Sequence, residues 1–183
     1  MSEFAALIRR ANQGDVEAGQ NAFALLYDDL HRLAHQRLSR SPRNTLLETS
    51  ALVNEAYLRL ARVGRLSVED RASYLAYASR VMRSVIVDFA RSRSAERRGG
   101  AADRVTLNTS VSDQAVSGED EIIRVHEALE ELAAVDERMV RVVEMRYFSG
   151  LSEKEVAEVL GVTDRTVRRH WEKARILLAA MLP

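Results

Sequence analysis

The sequence contains no cysteine, two prolines, two lysines and only 5% aromatic residues among its 183 positions. Without thiols there are no disulfides, no zinc–cysteine sites and no thiol nucleophile, and a reducing compartment is compatible. Proline stands only at 42 and 183, so nothing interrupts long helices elsewhere. No apolar run approaches the length needed to span a bilayer, and residues 1–10 show no charged-then-apolar signal pattern. The chain is therefore expected in the cytoplasm, with no membrane partner. Lysine occurs only at 154 and 173, so nearly all positive charge is arginine, which favours planar, bidentate contacts with phosphate and bases. A genome rich in G and C produces the same usage.

Runs of alternating β-branched residues are missing as well. Apolar residues recur instead at three and four, so the expected fold class is all-α. A hydrophobic content of 46% is enough for the compact cores of one domain or two small ones. Net charge is zero, yet the signs are separated along the chain. Residues 79–104 carry seven Arg against Asp88, Glu96 and Asp103, and residues 105–137 carry one Arg against nine Asp and Glu. Local charge, rather than the total, is what a polyanionic partner would meet.

The most informative stretch is residues 150–175. Ser152 and Glu155 have the spacing of a capping box, and Val156, Ala157 and Leu160 supply an apolar stripe behind it. Gly161 stops that helix in the left-handed conformation that glycine adopts without a Cβ penalty, and Thr163 or Asp164 can cap the next one. At about 100° per residue, Val167, Trp171, Ala174 and Leu178 fall in one arc. Arg165, Arg169, Glu172 and Lys173 project to the other side. This is the order of a helix-turn-helix whose second helix could read a major groove: guanidinium groups to phosphate or guanine, Glu172 to cytosine. An ordinary helical hairpin with a solvated charged face is the bland alternative.

Earlier in the chain, Asp15 can cap a long helix with Phe23, Leu26, Leu30 and Leu33 on its core side, ending before Ser41-Pro42. His31 and His35 have the i, i+4 spacing of half a metal site, but no cysteine or converging carboxylate accompanies them, and neither metal nor cofactor is expected. Thr49 or Ser50 can cap a helix that turns Leu52, Ala56 and Leu60 inward and leaves Asn54, Glu55, Arg59 and Arg62 outside. Residues 71–93 form the second informative helix. Leu75, Ala78, Met82, Val85 and Phe89 make a core stripe over four turns. Tyr77, Arg80, Ser84 and Arg91 line the other face, with Arg83 flanking and Arg97-Arg98 beyond. Aromatic rings interleaved with arginine suit a single-stranded nucleic-acid platform, though an Arg-rich solvent face has the same composition. Gly99-Gly100 closes this region, and residues 101–120 read as a flexible linker. A helix from Glu121, with Ile122, Val125, Leu129 and Leu132 inward, and another capped by Asp136 lead into the helix-turn-helix. The expected layout is an N-terminal helical domain over 1–100, a linker over 101–120 and a C-terminal helix-turn-helix domain over 121–183.

Residues 49–60, residues 74–98 with Val87-Asp88-Phe89-Ala90-Arg91, and residues 132–175 with Glu144-Met145-Arg146-Tyr147-Phe148-Ser149-Gly150 together carry a resemblance. The chain resembles a bacterial RNA polymerase sigma factor of the small, two-domain, extracytoplasmic-function type, over nearly its whole length. The resemblance implies a promoter-specificity subunit that binds core RNA polymerase, chiefly its β′ and β subunits, and is not itself an enzyme. It implies core-polymerase contacts at Asn54, Glu55 and Arg59. For the promoter minus-ten element it implies Tyr74, Tyr77, Arg80, Arg83, Ser84, Arg91, Arg97 and Arg98. For the minus-thirty-five element it implies Arg165, Thr166, Arg168, Arg169, Glu172 and Lys173. The helical wheel puts Arg168 at the flank, so phosphate contact is expected there and base reading from Arg169 and Glu172. Where the family pattern has Trp and Asn near the start and middle of the minus-ten helix, this chain has Tyr74 or Tyr77, and Ser84. The linker would run toward the RNA exit channel, where Asp113, Glu119 and Asp120 suit a cationic path. An anti-sigma protein that covers the DNA faces is a further expected partner of this type of factor.

Two other functions compete. A two-domain helix-turn-helix regulator would bind duplex DNA without core enzyme and would have no use for Asn54 or Glu55. A recombinase or nuclease would need a nucleophile with its base, or grouped carboxylates, and no spacing in the sequence singles these out.

Overall fold

In a computed structural model of the chain, the described residues are 3–40, 47–63, 66, 68, 70–99 and 118–182, with Arg40, Arg97–Gly99, Gly118 and Glu119 described by backbone alone. All regular secondary structure among the described residues is helical. In chain order the helices are α1 (Glu3–Ala11), α2 (Val16–Leu25), α3 (Tyr27–Arg40), α4 (Thr49–Arg62), α5 (Arg71–Gly99), α6 (Gly118–Val135), α7 (Glu137–Val143), a π-helical turn (Glu144–Phe148), α8 (Glu153–Leu160) and α9 (Asp164–Met181).

Asp15 caps a helix as its position suggests, accepting from the Ala18 N–H, but the single long helix expected after it is two. The helical path is interrupted at Leu26, whose φ and ψ of −110° and 5° leave the α region and whose N–H turns to Phe23 and Ala24 carbonyls. Asp28 and Asp29 then sit in the first turn of α3, where the helix dipole favours negative charge. The break does not cost the core: Leu26, Leu30 and Leu33 are all buried. At α4 the residue outside the first turn is Glu48, which makes no side-chain cap, rather than Thr49 or Ser50.

The N-terminal core gathers Phe4 and Ile8 of α1, Leu26 and Leu30 around the α2–α3 break, Leu52, Val53 and Leu60 of α4, and Leu75, Ala78, Met82 and Val85 of α5. The predicted α5 stripe is therefore the face that faces this core, with Phe89 half-exposed at its end. In the C-terminal half, Leu129 and Leu132 of α6 pack with Met139, Val140 and Val143 of α7 and with Ala174 of α9. Val142, Met145, Leu151, Val156 and Val167 form a neighbouring cluster under the helix-turn-helix.

The described halves also touch each other. Ala72 and Ala76 of α5 join the cluster under the helix-turn-helix, and Ile122 of α6 packs against the N-terminal core. The α5 helix is thus shared between the two halves. Most of the expected linker, residues 101–117, lies outside the described residues, and α6 starts at Gly118 rather than Glu121.

Candidate nucleic-acid interfaces

The helix-turn-helix forms by the local chemistry its residues dictate. The Ser152 hydroxyl accepts from the Glu155 N–H at 3.3 Å while the Glu155 carboxylate accepts from the Ser152 N–H at 2.8 Å, completing the capping box. The Ser152 hydroxyl, which also donates to the Glu155 carboxylate at 2.7 Å, and then the Ser152 N–H hold that carboxyl below the usual carboxylate range. Gly161 ends α8 with φ 63° and ψ 36°, a left-handed conformation that a side chain rarely adopts. Of the two candidate caps for α9, Thr163 is the one used, accepting from the Thr166 N–H.

On α9, Val167 and Ala174 are buried while Trp171 and Leu178 are half-buried. Arg165, Arg168, Arg169, Glu172 and Lys173 are exposed on the outer side, and Thr166 is half-buried near the cap. Arg168 differs from its neighbours. Its Nε and Nη2 both donate to Glu153 of α8 at 3.2 Å, and Glu153 also takes a hydrogen bond from Arg146. Arg146 in turn lies over the Trp171 ring, 5.2 Å from its centroid. The wheel's flank position for Arg168 thus corresponds to an ion pair that braces α9 against α8.

The α4 residues are half together. Asn54 is exposed with no partner in common with the other two. Arg59 donates to Glu55 at 3.2 Å and reaches across to α5, donating to Ser84 at 3.0 Å and to Asp88 at 2.7 Å. The structure therefore joins two predicted core-polymerase residues to a predicted minus-ten residue through one guanidinium.

The α5 residues divide. Tyr74 lies in the N-terminal core, its ring edge-on to Phe4 at 5.3 Å, and burial pushes its phenol up to about 12. Tyr77 is half-buried against the same core, and Ser84 and Arg91 are exposed. Arg97 and Arg98 continue the helix, but their side chains lie outside the described residues. Arg80 and Arg83 are held by the C-terminal half. Arg80 Nε donates to Glu144 Oε2 at 3.0 Å, and Arg83 Nη2 donates to Glu144 Oε1 at 2.8 Å. The Glu144 side chain is 4% exposed and that of Arg83 13%.

Sequence reasoning missed the role of Glu144. The available signal was an acidic residue inside the apolar run from Met139 to Met145, a place where burial without a partner costs several kcal/mol. The π-helical turn that begins at Glu144 was not legible either. The Ser149 N–H and hydroxyl both turn back to the Glu144 carbonyl, at 2.9 and 3.2 Å.

Around this pair, Arg37 of α3 is buried; it donates to Ser79 at 2.6 Å and stacks over Phe148 at 4.7 Å. Burial and the nearby Arg83 charge bring its guanidinium down to about 9. Arg83 Nη1 meets His126 Nδ1 at 2.8 Å. A guanidinium has only donors, so Nδ1 accepts and the imidazole is neutral. Burial, then the Arg83 charge, lowers the His126 pKa from its ordinary 6.5, with Arg91 adding to and Glu130 and Glu127 opposing that shift. A base whose pKa is depressed by folding takes up its proton more readily in the unfolded chain. Stability is thus expected to fall as pH drops through the ordinary imidazole range, and urea unfolding at stepped pH should show that part of the fall missing from His126→Asn.

Among the described residues no group of three or more His, Asp and Glu is placed to hold a metal ion, and no helix is long and apolar enough to cross a membrane. His31 and His35 lie at the surface of α3, half-exposed and exposed.

Among known proteins, the family described as ECF sigma factor matches residues 1–182. No curated protein matches the chain. The solved structure of CnrH in complex with the cytosolic domain of CnrY is similar over 99% of this chain and 97% of that chain, at 22% identity and a TM-score of 0.45. A family match that runs from the first residue to the last helix, on a chain whose capped and glycine-turned helix pair carries an arginine-rich outer face, means that this protein belongs to the ECF sigma factor family, whose members act in transcription initiation.

Proposed function

We propose that the chain is a promoter-specificity subunit of RNA polymerase that docks on core enzyme through the outer face of α4, reads a minus-thirty-five element with α9 and holds melted minus-ten DNA along α5. In this reading residues 1–100 and 121–183 are the two working units, and residues 101–120 connect them. The observation that carries the reading is α9. It is a rigid helix, buried by Val167 and Ala174 on one side, that presents Arg165, Arg169, Glu172 and Lys173 to solvent on the other. Arginine pairs bidentately with guanine and glutamate accepts from cytosine, so this face has both donor and acceptor character for a major groove. Arg168, which shares the Glu153 carboxylate with Arg146, keeps positive charge for phosphate contact.

On α5, Tyr77 is a half-exposed aromatic ring, whereas Tyr74 contributes to the core beneath it. Unstacking bases costs a few kcal/mol, which stacking and arginine–phosphate contacts on a fixed helix recover.

Transcription in vitro with sigma-free core polymerase on a promoter library tests the whole reading. Discrete starts preceded by two shared motifs support it, while absence of both core binding and discrete starts would leave a regulator that binds duplex DNA alone. Within that assay, Arg169→Ala should cost about 1–3 kcal/mol at one base position of the upstream motif. Equal losses on every sequence would show instead that Arg169 touches phosphate only.

A further inference from the structure

We propose that the cavity between α3, α5, α6 and the π-helical turn binds a small organic carboxylate, an acid with one ring or a branched chain of similar bulk, whose charged end meets Arg83. The cavity measures about 170 Å³ and is lined by Arg37, Arg83, Ile86, Ile122, Val125 and Phe148 among others. An apolar cavity of about 150 Å³ takes up benzene, so the space suits a single ring. Gln36 and Tyr147 also line it and are exposed, which gives the ligand a way in from solvent. The site does not depend on which nucleic acid the chain reads.

Two observations set its preference for an anion. The first is a donor left over. Arg83 Nη2 donates to Glu144 and Nη1 to His126, both at 2.8 Å, but among the described residues Arg83 Nε is buried with no hydrogen-bond partner. A buried N–H without an acceptor is costly, and a carboxylate is the acceptor that guanidinium donors pair with most strongly.

The second is an excess of buried positive charge. Arg37 and Arg83 bring two guanidiniums to the lining, while Glu144, the one buried carboxylate among the described residues, is shared with Arg80. His126 contributes no charge, since its Nδ1 accepts from Arg83, and Glu121, the other acid of the lining, is exposed to screening by solvent. Burial and then the Arg83 charge already bring the Arg37 guanidinium down to about 9. A water molecule would satisfy Nε and leave this excess in place, whereas a carboxylate answers both. The walls decide the rest of the ligand. Ile86, Ile122, Val125 and Phe148 have no polar side-chain atom, so an inorganic anion would shed its water against them without return, while a ring gains contact.

Benzoate is the probe, added to the full-length chain at constant ionic strength. It should raise the melting temperature saturably, by roughly 3–6 °C at about ten times its Kd. In a nitrogen-15 correlation spectrum it should move the Arg83 Nε–H signal, assigned from that residue's own backbone resonances. Acetate carries the charge without the body and benzyl alcohol the body without the charge, and each should bind at least roughly tenfold more weakly. Val125→Phe fills the cavity and removes no charged group, so it should abolish benzoate binding with helicity retained. Benzyl alcohol binding as tightly as benzoate overturns the carboxylate, and acetate or chloride matching benzoate overturns the fitted body. A folded Val125→Phe protein that still binds benzoate overturns the location. If Val125→Phe does not fold, the unmutated chain decides the same point: benzoate that binds without moving the Arg83 Nε–H signal sits elsewhere. No saturable binding by about 10 mM, the weakest Kd expected of a well-seated ligand of this size, overturns the site altogether.

Discussion

Leu52→Ala is expected to destabilise the fold by about 2–5 kcal/mol and to weaken core-polymerase binding without the side chain ever touching the polymerase. Leu52 is fully buried on the inner side of α4, in the core that also holds Leu30 and Met82. Its truncation removes apolar contact and leaves a cavity that tightly packed neighbours fill only in part. Urea unfolding should show a lower midpoint at unchanged slope. Asn54→Ala, two residues along and fully on the outer side, is the counterpart. It should stay within about 0.5 kcal/mol of wild type in stability. Its effect should appear in the pull-down or fluorescence titration with core enzyme, as a loss of roughly tenfold, the size of one useful interface side chain. If Asn54→Ala binds core enzyme like wild type, the outer face of α4 is not the contact.

Trp171→Ala is expected to cost about 3 kcal/mol and to lower duplex binding on all sequences alike. Trp171 is half-buried on α9, packs against both C-terminal clusters, and carries the Arg146 guanidinium over its ring. It therefore sets how α9 sits on α7 and α8, and with it the aim of every side chain on the outer face. Arg169→Ala, in contrast, should alter one base position and leave stability unchanged. Trp171 is the only tryptophan of the chain, so unfolding has to be followed by circular dichroism rather than by intrinsic fluorescence. Trp171→Phe should restore most of the lost stability. Unchanged stability in Trp171→Ala would mean that the Val167 and Ala174 contacts alone position α9.

The parts of the site that were legible share a cause. Capping boxes, glycine stops and helical stripes are interactions between residues a few positions apart, so the sequence contains both partners. The Ser152–Glu155 box, the Gly161 turn, the Asp15 and Asp136 caps and the buried side of α5 all follow from such neighbours. The break at Leu26 was harder to foresee, because Leu26, Leu30 and Leu33 keep helical spacing across it and no proline or glycine marks the place. Tyr74 illustrates the other limit. An aromatic residue at the edge of a helical stripe has no pattern that separates a stacking platform from a core contact, and Phe4, seventy positions upstream in another helix, decides the matter.

The sequence by itself determined the all-α class, most helix ends, the helix-turn-helix and the charged outer face of α9, because short-range hydrogen bonds and the 3.6-residue period act within each segment. Only the tertiary structure decided which arginines are already engaged. Arg59 meets Asp88 across 29 positions, Arg83 meets Glu144 across 61, and Arg168 meets Glu153 across 15. Each of these pairs requires a helix from elsewhere in the chain to present its carboxylate at hydrogen-bond distance. That placement is set by how the apolar clusters pack, and no local spacing encodes it.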